Sequence, residues 1–132
     1  MDLGISGKIA LITGSYRGTG AGIATSLARE GVEVVIHGFN SGETANVVQQ
    51  ITADGGIARP VETDLFTESG IRALKDQLGQ IDILINNYGK PAESSWSSYD
   101  NWSEEWERNV LLGVKVVQNF IDGMKERNWG RV

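Results

Sequence analysis

Within residues 8–29 a short apolar run breaks into a glycine-rich turn and then into a helix, and few folds accommodate that order. Lys8-Ile9-Ala10-Leu11-Ile12-Thr13 is apolar enough to be a buried strand. It gives way to Gly14-Ser15-Tyr16-Arg17-Gly18-Thr19-Gly20, and the residues from Ala21 to Arg29 read as a helix. A strand, a glycine turn and a helix N-terminus together form a phosphate cradle. Backbone N–H groups point out of the turn, and the helix dipole favours an anion there. Glycines let the backbone pass close to a pyrophosphate and take positive φ where required.

The rest of the chain repeats the alternation. Val32–His37 predicts a second strand, and a loop follows through Gly38-Phe39-Asn40-Ser41-Gly42. A helix is expected over Glu43–Ala53, with Ala45, Val48 and Ile51 near one face. Ile57–Glu62 is a weaker third strand, placed at an edge because Pro60 lacks an N–H. Thr67 is the expected N-cap of a third helix reaching Leu78, and Ile81–Ile85 a fourth strand. A Ser- and Trp-rich loop is expected from Asn86 to Asn101. A long amphipathic helix should then run from about Ser103 to Arg127, with Val110, Val114, Val117 and Ile121 at helical spacing. Gly130-Arg131-Val132 looks like the lead-in to a fifth strand.

Alternating βα units with apolar strands imply an α/β fold: a doubly wound, Rossmann-type parallel sheet with helices on both faces, incomplete after strand four. Right-handed crossovers place strand one centrally, strands two and three to one side and strand four to the other. The ligand crevice then lies at the switch point, beyond the carboxyl ends of strands one and four, where Thr13–Gly20 and Asn86–Gly89 fall.

Composition narrows the classes. The chain of 132 residues suits one domain with a real core, 1–132. A net charge of −5 without a Lys/Arg cluster argues against a nucleic-acid partner. There is no cysteine, hence no disulfide framework, thiolate nucleophile or Cys-type metal site, and no metal is expected. No apolar stretch approaches the roughly 18–20 residues of a membrane span, and the N-terminus lacks the regions of a signal peptide. A cytoplasmic protein without membrane partners is expected.

Thr13-Gly14-Ser15-Tyr16-Arg17-Gly18-Thr19-Gly20 resembles the T-G-x-x-x-G-x-G motif of the short-chain dehydrogenase/reductase family. Asp64 matches that family's aspartate near the adenine ring, and Asn86-Asn87-Tyr88-Gly89 resembles its N-N-A-G motif. Asn109 matches its active-site helix asparagine, and Gly130-Arg131-Val132 the lead-in to its fifth strand. The resemblance spans the chain, with these matches falling in order. It implies an oxidoreductase transferring hydride between a nicotinamide and a small-molecule carbonyl or alcohol. It further implies that Gly14, Ser15, Arg17, Gly18 and Gly20 hold the pyrophosphate and 2′-phosphate region, that Asp64 serves the adenine, and that Asn86 and Gly89 serve the ribose. Asn109 would help hold a proton-relay water. The long helix corresponds to one that pairs subunits, so a homo-oligomer is expected.

Cofactor choice follows from charge. NAD-preferring members carry an acid just past strand two to accept hydrogen bonds from the ribose 2′-OH. Gly38 stands there, and no acid appears before Glu43. Arg17 lies where the NADP-preferring branch carries a basic residue, and Asn40 and Ser41 can donate further hydrogen bonds. NADP(H) is therefore favoured over NAD(H), with an ordinary surface arginine as the plain alternative for Arg17.

Tyr88 departs from the motif's alanine: it narrows the pocket, points away, or marks a relaxed motif. It is not the family's catalytic tyrosine, which precedes a lysine by four positions. Ala92 follows Tyr88 at that spacing, and Tyr16 and Tyr99 are followed by Gly20 and Ser103. The family's Ser/Tyr/Lys half lies beyond strand five, so this stretch is expected to be inactive alone. The alternative is a non-catalytic nucleotide-binding module completed by a partner chain. His37 is expected beside the adenosine site rather than as a base, and Asp82 and Glu62 as hydrogen-bonded structural groups. Trp96, Trp102 and Trp106 are expected as core or interface anchors, or as the lining of a substrate mouth. Replacing Gly20 with Val is expected to abolish cofactor binding while leaving the fold largely intact.

Overall fold

The computed structural model describes residues 1–89 and 95–132. Ala92 and the middle of the expected Asn86–Asn101 loop lie outside the described residues. Four parallel strands, β1 (Ile9–Ile12), β2 (Glu33–Gly38), β3 (Ile57–Glu62) and β4 (Ile83–Ile85), form one sheet in the order β3-β2-β1-β4. This is the doubly wound order, with Leu11 in register with Val35 on one side and Leu84 on the other. Pro60 sits in β3 opposite Ile36, on the strand at the end of the sheet, where its missing N–H costs no ladder bond on the outer side.

Each strand alternates its side chains between two cores. Ala10, Ile12, Val34, Ile36 and Ile83 point to one face, where they meet Ala24 of α1 (Gly18–Arg29) and Val47 and Ile51 of α2 (Ala45–Ala53). Leu11, Val35, Val61 and Leu84 point to the other. There they pack on Ile71, Leu74 and Leu78 of α3 (Glu68–Leu78) and on Leu112, Val116, Phe120 and Met124 of α5 (Leu112–Glu126). Both faces of the sheet are thus covered, which is why the strands read as continuous apolar runs.

The last helical segment differs from expectation in three ways. It begins at Tyr99 rather than near Ser103, as α4 (Tyr99–Trp106). A single π-helical turn, Glu107–Leu111, joins α4 to α5. The buried stripe is Leu112, Val116, Phe120 and Met124, while Val110 and Val114 are exposed and Val117 and Ile121 only half-buried. The segment carries apolar residues around most of its circumference, so the valine spacing alone selects the wrong face. Trp96, Trp102 and Trp106 are exposed as well, with the rings of Trp96 and Trp102 5.0 Å apart, so none is a core anchor.

Asp82 and Glu62 tie elements together. The buried Asp82 carboxylate accepts hydrogen bonds from Ile9 N (3.0 Å) and Gln80 Nε2 (2.9 Å). Arg127 Nη2 lies 3.6 Å from Asp82 and donates to Ile81 O at 2.9 Å, anchoring the end of α5 beside β4. Glu62 accepts from Gly42 N, Thr44 N and Thr44 Oγ1, and these donors, Gly42 first, hold its pKa below the usual carboxylate value. Along the side of β4 away from β1, Arg131 makes one parallel bridge to Ile83. Arg131 N donates to Asp82 O and Leu84 N donates to Arg131 O, so the Gly130–Val132 segment aligns as an incipient strand.

Candidate functional site

A cleft of about 550 Å³ opens at the carboxyl ends of the strands, between the Gly14–Gly20 turn, the loop after β2, Phe66 and the Asn87–Gly89 segment. This is the switch point that the strand order requires.

Thr13 joins the two sides of that switch point. Its hydroxyl accepts hydrogen bonds from Asn87 N (3.1 Å) and Tyr88 N (3.0 Å). The same oxygen reaches Ile85 O at 3.4 Å, and Thr13 N donates to Ile85 O at 3.1 Å. Asn87 Nδ2 returns the contact, donating to Thr13 O at 2.9 Å and Gly14 O at 3.4 Å. One hydroxyl therefore holds the Asn87–Gly89 segment against the glycine turn. Thr13→Val should leave Tyr88 N without its partner and Asn87 N with Ile85 O alone, at 3.0 Å, and lower stability by about 1–3 kcal/mol, whereas Thr13→Ser should stay within about 1 kcal/mol of the parent in urea unfolding.

The glycine turn is pinned from beneath by His37. Gly14 N donates to His37 Nδ1 at 3.0 Å, so Nδ1 is an acceptor and the ring proton sits on Nε2, which donates to Thr63 O at 3.0 Å. His37 N donates to Ser15 Oγ (2.9 Å), and Tyr16 N donates to His37 O (3.2 Å). Burial pushes the imidazole pKa down, so it is held neutral. Ser15 is fully buried and its side chain serves β2, so this residue does not line the cleft, unlike its neighbours Gly14 and Tyr16.

Gly14 and Gly18 have φ of +65° and +56°, a region that favours glycine. Gly20 is required for a different reason. A Cβ built there would stand 2.6 Å from Asn87 Nδ2, 2.8 Å from Ser15 Cα and 3.0 Å from Gly14 O. Two of these three are backbone, so Gly20 is the point where α1 packs on the turn, and a valine there disturbs the fold as well as the cleft. No side chain caps α1, in contrast with α3, where Thr67 Oγ1 accepts from Gly70 N. The positive end of α1 thus faces the cleft with its first-turn amides available to an anion. Arg17, exposed, lies at this end with its guanidinium 5.1 Å from the Tyr16 ring.

The loop after β2 departs from what the linear order implies. Gly38 leaves space at the strand end, but the acid reaches it from further along the chain. Glu43 Oε2 accepts from Phe39 N (2.8 Å) and Asn40 N (3.1 Å), and Glu43 Oε1 accepts from Asn40 Nδ2 at 2.6 Å. The Asn40 side-chain bond leads in holding the Glu43 pKa down. Asn40 and Glu43 both line the cleft, and Ser41 is exposed beside them. Sequence order misses this carboxylate because its five-residue separation from Gly38 hides a reversal of the chain.

Asp64 is exposed and lies outside the cleft lining. Its Oδ1 accepts from Phe66 N at 2.9 Å, shaping the turn that presents Phe66 to the cleft. The aromatic group so formed was not legible beforehand. Tyr88 turns toward Phe39 (ring centroids 4.8 Å apart) and Phe66 (5.5 Å), and Phe39 stacks on Phe66 at 5.4 Å. Of the three alternatives for Tyr88, the structure shows the narrowing one, and burial pushes its phenol pKa up. Arg108, from the π turn, lies over the Phe66 ring at 5.6 Å.

Asn86 is exposed, with Nδ2 3.5 Å from Gly113 O. Asn109 lies in the π turn and donates from Nδ2 to Glu105 O (3.0 Å) and Glu105 Oε2 (2.9 Å). Its Oδ1 would be 3.2 Å from a Cβ on Gly89, so the structure brings Asn109 to the end of the Asn87–Gly89 segment. The π turn accounts for this approach, since such turns redirect side chains locally. Among the described residues no helix is long and apolar enough to cross a membrane.

Comparison with known proteins gives concordant matches. The family model described as short chain dehydrogenase matches residues 8–132. An uncharacterized oxidoreductase of Bacillus subtilis is 35% identical over 100% of this chain and 52% of its own length. A 3-oxoacyl-[acyl-carrier-protein] reductase of Aquifex aeolicus is also 35% identical, over 100% of this chain and 56% of its own length. Among solved structures, a 3-oxoacyl (acyl-carrier-protein) reductase from Agrobacterium tumefaciens with NADP bound superposes with a TM-score of 0.88 at 34% identity, over 97% of this chain and 52% of that one. The L-sorbose reductase of Gluconobacter frateurii complexed with NADPH and L-sorbose superposes with a TM-score of 0.86 at 30% identity, over 96% and 51%. The chain spans about half the length of the relatives it matches.

Proposed function

Since the chain belongs to the short chain dehydrogenase family, we propose that residues 1–132 form the cofactor-binding part of an oxidoreductase that uses NADP(H) on a small-molecule carbonyl or alcohol. The observation that carries this reading is the Gly14–Gly20 turn, which sets an uncapped helix end and Arg17 against a cleft at the sheet's switch point. The residues fit a dinucleotide. Gly14, Gly18 and Gly20 let a pyrophosphate approach the backbone, and Arg17 offers a fork of donors to a 2′-phosphate. Phe39, Phe66 and Tyr88 offer aromatic faces to an adenine. Asn87 and Gly89 would line the ribose side, with Asn86 next to them outside the cleft lining, and Asn109 would order a proton-relay water near Gly89. Asp64 acts on the adenine subsite through the turn it shapes. The nicotinamide cofactor supplies the hydride chemistry, and the acid/base groups would come from a Ser/Tyr/Lys set outside these residues.

NADP- or NADPH-bound relatives support the phosphorylated cofactor. The exposed Trp106, Val110 and Val114, on α4, the π turn and α5 in that order, support a homo-oligomer. A fluorescence titration with NADPH and NADH tests the reading. Arg17→Ala should weaken NADPH binding by about 10-fold or more and leave NADH within about 2-fold, because only the 2′-phosphate loses a charge-assisted bond. Equal losses for both cofactors would remove Arg17 from the 2′-phosphate subsite.

A further inference from the structure

The donors just past β2 are already occupied by the chain's own carboxylate. Phe39 N (2.8 Å) and Asn40 N (3.1 Å) both donate to Glu43 Oε2, and Asn40 Nδ2 donates to Glu43 Oε1 at 2.6 Å. Three convergent donors around two anionic oxygens form an acceptor site of the kind a phosphate takes. The residues forming it line the same cleft as Arg17 and the glycine turn. Gly38 makes the arrangement possible: a Cβ there would stand 3.1 Å from Glu43 Cβ and 3.1 Å from Glu43 Oε2. Two of the three donors are thus aimed by the backbone, while the anion filling them comes from the turn before α2.

We infer that Glu43 is an internal competitor for the ribose 2′-substituent and the residue that sets how strongly this cleft discriminates between dinucleotides with and without a 2′-phosphate. The inference rests on the dinucleotide reading above. A 2′-phosphate needs the donors Glu43 holds and meets its negative charge at close range, so it binds only as Glu43 swings away. A ribose hydroxyl carries no such charge, and the carboxylate can accept a hydrogen bond from it. Arg17 and Glu43 therefore act in opposite senses on the same choice. This is specificity set by a repulsive as well as an attractive element.

The test compares Glu43→Gln and Glu43→Ala with the parent, using 2′,5′-ADP, 5′-ADP, NADPH and NADH as probes in calorimetric titrations. Phe39 and Asn40 amide resonances are followed in the same samples. Both variants should tighten 2′,5′-ADP and NADPH by about 10-fold and leave 5′-ADP and NADH tightened by no more than about 2-fold, since only the charge conflict is relieved. In the parent, 2′,5′-ADP should shift the Phe39 and Asn40 amides and 5′-ADP should not. An unchanged or lowered ratio of NADPH to NADH affinity in both variants, with binding otherwise intact, overturns the role of Glu43 and leaves the dinucleotide site standing. Failure of the parent to bind any of the four probes overturns the dinucleotide reading and the inference with it.

Discussion

Gly20→Val should abolish measurable NADPH binding and lower the stability of the fold in the same molecule. The added Cβ meets Ser15 Cα at 2.8 Å and Gly14 O at 3.0 Å, and backbone cannot rotate out of the way as a side chain can. It also meets Asn87 Nδ2 at 2.6 Å, the amide that bonds Thr13 O and Gly14 O. Helix α1 must move off the turn or the turn must leave β1. Overpacking of this kind costs about 1–3 kcal/mol, and displacing the cradle should weaken NADPH binding by more than about 100-fold. Urea unfolding and NADPH titration on one preparation separate the two effects. NADPH affinity within about 3-fold of the parent would show that the cofactor does not use this turn. The sequence pattern predicts a lost cofactor with an intact fold, and the contact with Ser15 shows why both fall together.

The second large effect centres on His37. His37→Leu keeps the bulk but leaves Gly14 N and Thr63 O without their partners in a buried place, at about 1–3 kcal/mol for each group. A total loss of about 2–5 kcal/mol is expected, with disorder concentrated at the glycine turn. The parent should also carry a pH signature that the variant lacks. The folded-state pKa of His37 is lowered from 6.5 by burial, so the unfolded chain takes up the proton first as pH falls. Stability from this group is complete above about pH 6.5 and is lost as pH falls below it toward the folded-state pKa. The carboxylates of Glu43 and Glu62 act in the same direction but in a separate range, below their usual value of 4.5. Urea midpoints measured between pH 7 and pH 5 should fall in the parent and stay flatter in His37→Leu. Parallel profiles would mean that the imidazole is not held neutral.

The order of strands and the location of the cleft were legible because both rest on local signals. Apolar runs of strand length, glycines at their ends and a proline in β3 suffice to place β1 at the centre and β3 at the edge. The apolar stripe of α5 was not legible, because Val114, Val116, Val117 and Phe120 satisfy more than one helical face. The π turn is invisible to a search at helical period, yet it carries Arg108 into the cleft lining and Asn109 beside Gly89. Single residues were harder still. Ser15 reads as a loop serine and is wholly committed to β2, while Asp64 reads as a ligand contact and is committed to the Phe66 amide. Glu43 reads as the start of a helix, and only the folded loop shows it holding the donors past β2.

Thr13 and the Asn87–Tyr88 amides that it holds are 74 and 75 residues apart in the chain. The bond between Gly14 and His37 spans 23 residues, and that between His37 and Thr63 spans 26. No stretch of the polypeptide can therefore assemble this cleft locally: the loop entropy of nearly three strand–helix units is lost before the hydroxyl meets its partners. The recognition surface thus exists only where the strands have taken their order in the sheet. A dinucleotide held there would draw on the cooperative stability of the whole sheet, and its affinity would serve as a gauge of the integrity of residues far outside its reach.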